Sequence, residues 1–190
     1  MVSTMTKDPA HLAERIGGRA AASPSPSAPG RGVDEDCREF GLRIARDGNW
    51  FYHGTPIGRK SLIRLFSSVL RRDGEGGYWL VTPAERGRIE VEDAPFVAVE
   101  LTAEGAGPGQ RLSFRTNVDD IVAADAAHPI RVVLDEETGA PRPYVMVRDG
   151  LEALILRPVF YHLVERGETK NGDFGVWSGG AFFKLGEASW

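Results

Sequence analysis

GLRIARDGNWFYHGTPIGRKSLIRLFSSVLRR, residues 41–72, is the stretch from which the fold is read. In its first part Leu42 and Ile44 flank Arg43, the two-residue period of a half-buried strand. Asp47-Gly48 follows, and then the strand-like run NWFYH. An Asp-Gly pair between two such runs is a strong hairpin signal, because both residues accept the positive φ of a tight turn. From residue 59 the period changes. Leu62, Leu65, Phe66, Val69 and Leu70 fall at i, i+3, i+4, i+7 and i+8, one apolar stripe of a helix over 59–72. Lys60 and Arg64 share its outer face, and Arg71 and Arg72 sit where cations complement the helix dipole. Strand, turn, strand and helix in this order predict a mixed fold.

Between the two periods lies HGTPIGRKS, residues 53–61. A phosphate-gripping P-loop needs G-x-x-x-x-G-K-[ST] between a strand and a helix. Here Gly54 and Gly58 stand one residue too close, and Arg59 separates Gly58 from Lys60-Ser61, so the backbone nest of a nucleotide hydrolase is not expected. The stretch reads as a strand-to-helix turn set by Pro56. The amides of the first helical turn attract an anion there, with Arg59 and Lys60 reinforcing the pull.

Downstream the chain is a run of strand-like segments: GYWLVT (77–82), RIEVED (88–93), PFVAVEL (95–101), RLSFRT (111–116), IRVVLD (130–135), PYVMVR (143–148) and LEALIL (151–156). AEGAGPGQ (103–110) and EETGAPR (136–142) are turn-rich, and Asp149-Gly150 predicts a second hairpin. Arg-Asp-Gly recurs at 72–74, after the predicted helix, and at 148–150, where turn chemistry explains it better than a recognition tripeptide. NVDDIVAAD (117–125) reads as a short helix capped by Asn117, RPVFYHLVER as a helix opened by Pro158, and GVWSGGAFF (175–183) as a last strand with a glycine bend. About nine strands in runs, with two or three helices, give an α+β chain of mainly antiparallel sheets.

Residues 1–35 are a disordered tail in this reading. RAAASPSPSAPGRG (19–32) has no large side chain whose burial offsets the entropy of ordering. Within the tail, Leu12 and Ile16 at i,i+4 allow a short helix over Pro9–Ile16, expected to be undocked. The remainder divides into domains at 36–97 and 98–187.

Composition limits the function. A net charge of −4 argues against nucleic acid and against anionic membranes as partners. No apolar run reaches the roughly twenty residues of a membrane span. The N-terminus lacks the apolar core of a signal peptide, so the cytoplasm is the expected compartment. Cys37 is the one cysteine. With His11, His53, His128 and His162 scattered along the chain, no metal and no cofactor are expected. Cys37 beside the tail is a poor nucleophile, and the serine of WSGG lies in no G-x-S-x-G elbow.

What remains is ionic and aromatic. Glu92-Asp93 closes an alternating strand just before Ala94-Pro95-Phe96. It reads as a corner whose Asp accepts backbone amides, or as a partner for an arginine or a ligand in a cleft between the two domains. Arg43, Arg115, Arg148 and Arg157 lie on or beside strands and can supply that partner. Trp50, Tyr52, Tyr78, Trp79, Phe160, Tyr161 and Trp177 build cores or form a recognition surface.

FGLRIARDGNWFYHGTPIGRKSLIRLFSSVL, GYWLVTPAERGRIEVEDAPF, PYVMVRDGLEALILRPVFYHLVE and GVWSGGAFF together resemble an uncharacterised bacterial family, domain of unknown function 1285, over residues 36–187. The resemblance implies a small roll-like N-terminal domain and a C-terminal β-rich domain likened to pleckstrin-homology barrels. It carries no catalytic residue or cofactor, and its regulatory or signalling role rests on analogy of fold. The tail is this sequence's departure from the pattern. The expectation is a non-enzymatic cytoplasmic module that binds a small, anion-bearing ligand or a protein partner at the interdomain cleft. Its candidate site residues are Arg59, Lys60, Glu92, Asp93, Arg115, Arg148, Arg157 and Trp177. The alternatives are an enzyme using Glu92 or Asp93 with an arginine clamp, and a pure protein-interaction module.

Overall fold

Two compact units are cut from the chain, Met1–Ala45 with Asn49–Glu92 and Arg46–Gly48 with Asp93–Trp190. The structure, a computed structural model, describes residues 9–16 and 38–188. The predicted tail over 1–35, apart from 9–16, and Cys37 therefore lie outside the described residues. The fold is α+β, with two β-rich domains. The division falls after Glu92, earlier than the break after Val97 that the sequence suggested, because Phe96 and Val97 already belong to a strand of the second unit.

In the first unit α1 (Pro9–Ile16) precedes β1 (Arg38–Ile44), β2 (Trp50–Tyr52), β3 (Thr55–Pro56), α2 (Lys60–Ser68), β4 (Leu70–Arg72), β5 (Tyr78–Val81) and β6 (Arg86–Val91). The sheet runs β3-β2-β1-β6-β5-β4, antiparallel throughout except for the parallel pair β1 and β6. Alternation sends Phe40, Leu42 and Ile44 of β1 inward with Leu80 and Ile89. α2 adds Leu62 and Phe66, and Phe66 stacks on buried Trp50 at 6.1 Å.

Three expectations are corrected here. The helix stops at Ser68 although its apolar stripe continues to Leu70. Ser67 and Ser68 turn their hydroxyls back to the carbonyls of Arg64 and Leu65 at 2.8 and 2.7 Å, a bond that competes with helix continuation. Leu70 then reaches the core as a strand residue paired with Leu80. HGTP is not a plain strand-to-helix turn. His53 and Gly54, at φ 46° and 80°, reverse the chain into β3, and Pro56 is tolerated because β3 is an edge. Finally, α1 lies against α2 rather than undocked, in keeping with the rule that a helix this short needs tertiary packing.

The second unit contains β7 (Phe96–Glu104), a 3-10 turn (Gly107–Gly109), β8 (Arg111–Thr116), β9 (Ile121–Ala123), β10 (Ile130–Leu134), β11 (Pro141–Arg148) and β12 (Leu151–Ile155). After them come α3 (Arg157–Val164), β13 (Glu168–Lys170), β14 (Asp173–Ser178) and β15 (Ala181–Glu187). One sheet runs β10-β11-β12-β7-β8-β9, again with one parallel pair, β12 and β7; the other is the meander β13-β14-β15. Residues 117–125 form a turn and β9, not the predicted helix. Asp119 takes φ 66°, and the Asn117 side chain holds the turn: it accepts from Val97 N at 3.2 Å and donates to Gly48 O at 3.0 Å. GVWSGGAFF is a hairpin of two strands rather than one. Its buried Ser178 accepts from Leu112 N at 2.9 Å and donates to Ala124 O at 2.6 Å, which fastens the meander to β8.

Candidate functional site

A pocket of about 570 Å³ opens on the first unit's sheet, lined by β1 and β6, by His53 and Gly54 and by residues 76–78. Gly41 makes it possible. The parallel register of β1 on β6 slips between Glu39 and Arg43, and Gly41, at φ 64°, takes up the irregularity. A Cβ there would stand 2.3 Å from the His53 ring, so the missing side chain lets the imidazole lie over the strand. On the opposite rim Gly77 leaves room for the Asp73 carboxylate, which a Cβ would approach to 2.8 Å.

The charged walls follow from alternation. β6 points Gly87 and Ile89 inward, and Arg86, Arg88 and Glu90 outward. Across the parallel seam Glu39 is the partner of Arg88, and Arg43 of Glu90. The Arg43 guanidinium stacks over Phe51 at 4.3 Å and pairs with Glu92. Tyr78 also lines the pocket, but it is the register partner of inward Ile89, so its ring belongs to the other face of the sheet, with Arg72 over it at 5.4 Å. Among the described residues no carboxylate lies within ion-pair distance of Arg88, and no cation within that distance of Glu39 or Glu90.

The sequence-predicted residues are divided between the two units, Arg59, Lys60 and Glu92 in the first and Asp93, Arg115, Arg148, Arg157 and Trp177 in the second. Arg59 is an exposed extended residue before α2 and Lys60 its exposed first residue; the amides of Leu62 and Ile63 already donate to Arg59 O. Glu92 meets Arg43. Its neighbour Asp93, with a side chain only 8% exposed, accepts from Tyr144 Oη at 2.8 Å and from Arg142. Burial and that hydrogen bond push the Tyr144 hydroxyl up to about 12, so it stays a donor at neutral pH. Arg115 is held by Glu100 and Asp119, Arg148 by Asp120 at 2.6 Å, and Arg157 donates to Tyr161 Oη at 2.8 Å. Trp177 donates to Glu168 at 2.6 Å beneath the Lys170 ammonium, which is 4.1 Å from its ring. Among the described residues no group of three His, Cys, Asp or Glu is placed to hold a metal ion, and no helix is long and apolar enough to cross a membrane.

Glu39, Arg88 and Glu90 were missed as site residues, and His53 entered the sequence reading only as a scattered histidine. The available signal was the alternation of RIEVE, which puts Arg88 and Glu90 on one face. The strand that faces them is set by the long-range β1–β6 pairing, which no local pattern reveals.

Comparison with known proteins agrees with this architecture. No curated protein matches the chain. A crystal structure of a DUF1285 family protein from Silicibacter pomeroyi DSS-3 is 44% identical, covers 97% of each chain and superposes with a TM-score of 0.83. A second, from Shewanella baltica OS155, is 27% identical over 66% of this chain and 91% of its own, with a TM-score of 0.52. Residues 33–94 match the model of the N-terminal domain of unknown function DUF1285, and residues 95–185 match that of its C-terminal domain. With both domain models matched in order, and a solved relative alike over nearly its whole length, the chain belongs to the DUF1285 family.

Proposed function

We propose that the protein is a non-enzymatic, cytoplasmic regulatory module whose first domain binds a small molecule with an anionic group, seated on Arg88 in the pocket between His53 and Tyr78. The observation that carries this reading is Arg88 itself, a guanidinium on a 570 Å³ concavity with no carboxylate partner among the described residues. A planar guanidinium offers paired donors that match a carboxylate or phosphate, and the volume is that of a small-ligand site. The two carboxylates that the sequence offered to an enzyme are engaged elsewhere. Asp93 has both oxygens engaged, and Glu92 is paired with Arg43, so neither offers a free base to a substrate.

The test is a thermal-shift screen of the full chain against nucleotides, dicarboxylates and other acidic metabolites. A ligand at a hundred times its Kd stabilises by about 2.7 kcal/mol, a shift of several degrees. The expected outcome is a hit that disappears in Arg88→Ala and persists in Arg59→Ala and Lys60→Ala. Stabilisation that survives Arg88→Ala, or depends on Arg59 or Lys60 instead, removes the proposed seat.

A further inference from the structure

We infer that the pocket's ligand is a zwitterion of the α-amino-acid class, its carboxylate on Arg88 and its ammonium on Glu90 and Glu39; this rests on the ligand-binding reading of the same pocket. The arrangement of charge is what points to it. Along β6 a cation and an anion, Arg88 and Glu90, are successive outward residues. Across the seam Glu39 stands in register with Arg88 and Arg43 with Glu90, so the signs alternate in both directions. Opposite charges facing each other on adjacent strands normally join. Here they do not: Glu39 and Arg88 are register partners without an ion pair, and Arg43 is drawn from Glu90 to Glu92 and to the Phe51 ring.

The pocket is thus left with one unmatched guanidinium and two unmatched carboxylates, among the described residues. A simple anion on Arg88 would face Glu39 and Glu90 and be repelled, a phosphate most of all because of its greater charge. A simple cation would leave Arg88 without a partner. A molecule that carries both charges a few ångströms apart satisfies all three groups. The volume leaves room beyond those two charges for a large side chain or a second residue. The His53 imidazole, over Gly41, lies at its margin to meet them.

The experiment is titration calorimetry of the full chain with individual L-amino acids. Each one that binds is then compared with its N-acetyl derivative, which lacks the ammonium, and its carboxamide, which lacks the carboxylate. The expected result is that at least one amino acid binds and that each derivative binds at least tenfold more weakly. Glu90→Gln should weaken the amino acid about tenfold without weakening the N-acetyl form, and Arg88→Gln should abolish both. These side chains are exposed, and circular dichroism checks that the variants fold. An N-acetyl acid or plain carboxylate that binds as tightly as the amino acid overturns the zwitterion and leaves the anion reading standing. If no amino acid binds, the zwitterion falls, and the anion reading then stands or falls with the thermal-shift screen of nucleotides and acidic metabolites.

Discussion

One carboxylate organises the turn between β4 and β5 and with it a rim of the pocket. Asp73 Oδ1 accepts from Glu75 N at 3.0 Å and Gly77 N at 2.7 Å, and Oδ2 from Trp79 Nε1 at 2.6 Å. The Trp79 indole, and after it the Gly77 amide, hold the Asp73 carboxyl below its ordinary range. Because the folded state favours the ionised form, this contribution to stability is fully present above the unfolded value of about 3.9. It is lost as pH falls through that value toward the lower folded one. Asp73→Asn should therefore be less stable than the parent at pH 6, and the difference should narrow below about pH 4. Urea denaturation followed by tryptophan fluorescence from pH 6 down to pH 3 reads the effect; parallel curves for the two proteins would refute it. Asp73 also shows what is legible at this scale. The Asp-Gly pair marked a turn, because that chemistry is local. Its indole partner, like the Arg142 that takes Asp93, is brought up by folding and has no local signature.

Elements are legible where their period is long and their ends are chemically marked. The Asp-Gly turns at 47–48 and 149–150 lie where the sequence put them, and Gly48, Asp149 and Gly150 carry the positive φ that such turns require. Periodicity misled at the end of α2 and at 117–125, where apolar spacing fits a helix but strand partners are available. Asn117 was read as a helix cap because Asn offers its amide to backbone groups; it does so here for Val97 and Gly48 instead. Asn117→Ala leaves both backbone groups without that partner. It should cost about 1–3 kcal/mol, the usual penalty for stranding hydrogen-bonding groups away from water. Asn117→Asp keeps the acceptor for Val97 N but loses the donor to Gly48 O, and should fall between. Chemical denaturation of the three proteins checks the order. A loss below about 0.5 kcal/mol for Asn117→Ala, the size of an ordinary surface change, would mean that the side chain does not hold the turn.

At the scale of the whole molecule the same strand plan is used twice. A meander β1-β2-β3 and a meander β4-β5-β6 are joined by pairing the first strand with the last; β7-β8-β9 and β10-β11-β12 are joined in the same way. Hydrophobic alternation tells which face of a strand is buried but not which distant strand lies beside it. The repeat and its two parallel seams are therefore absent from any local reading. The plan has a kinetic consequence in the second unit. The β11–β12 hairpin closes through two turn residues, whereas Ala153 and Phe96 in the β12–β7 seam lie 57 residues apart (153 minus 96). Closing so long a loop loses more chain entropy than closing a hairpin, so the seam forms late. Gly150→Ala forces a side chain into φ 77° and strains the hairpin turn. It should act chiefly on the folding rate, with a φ-value above about 0.5. Ile155→Val removes a methyl group from a residue 2% exposed on the seam strand, at a cost of about 1 kcal/mol. It should act chiefly on unfolding, with a φ-value below about 0.3. Stopped-flow chevrons for both variants measure the two ratios, and the reverse ranking would mean that the parallel seam, not the hairpin, nucleates the domain.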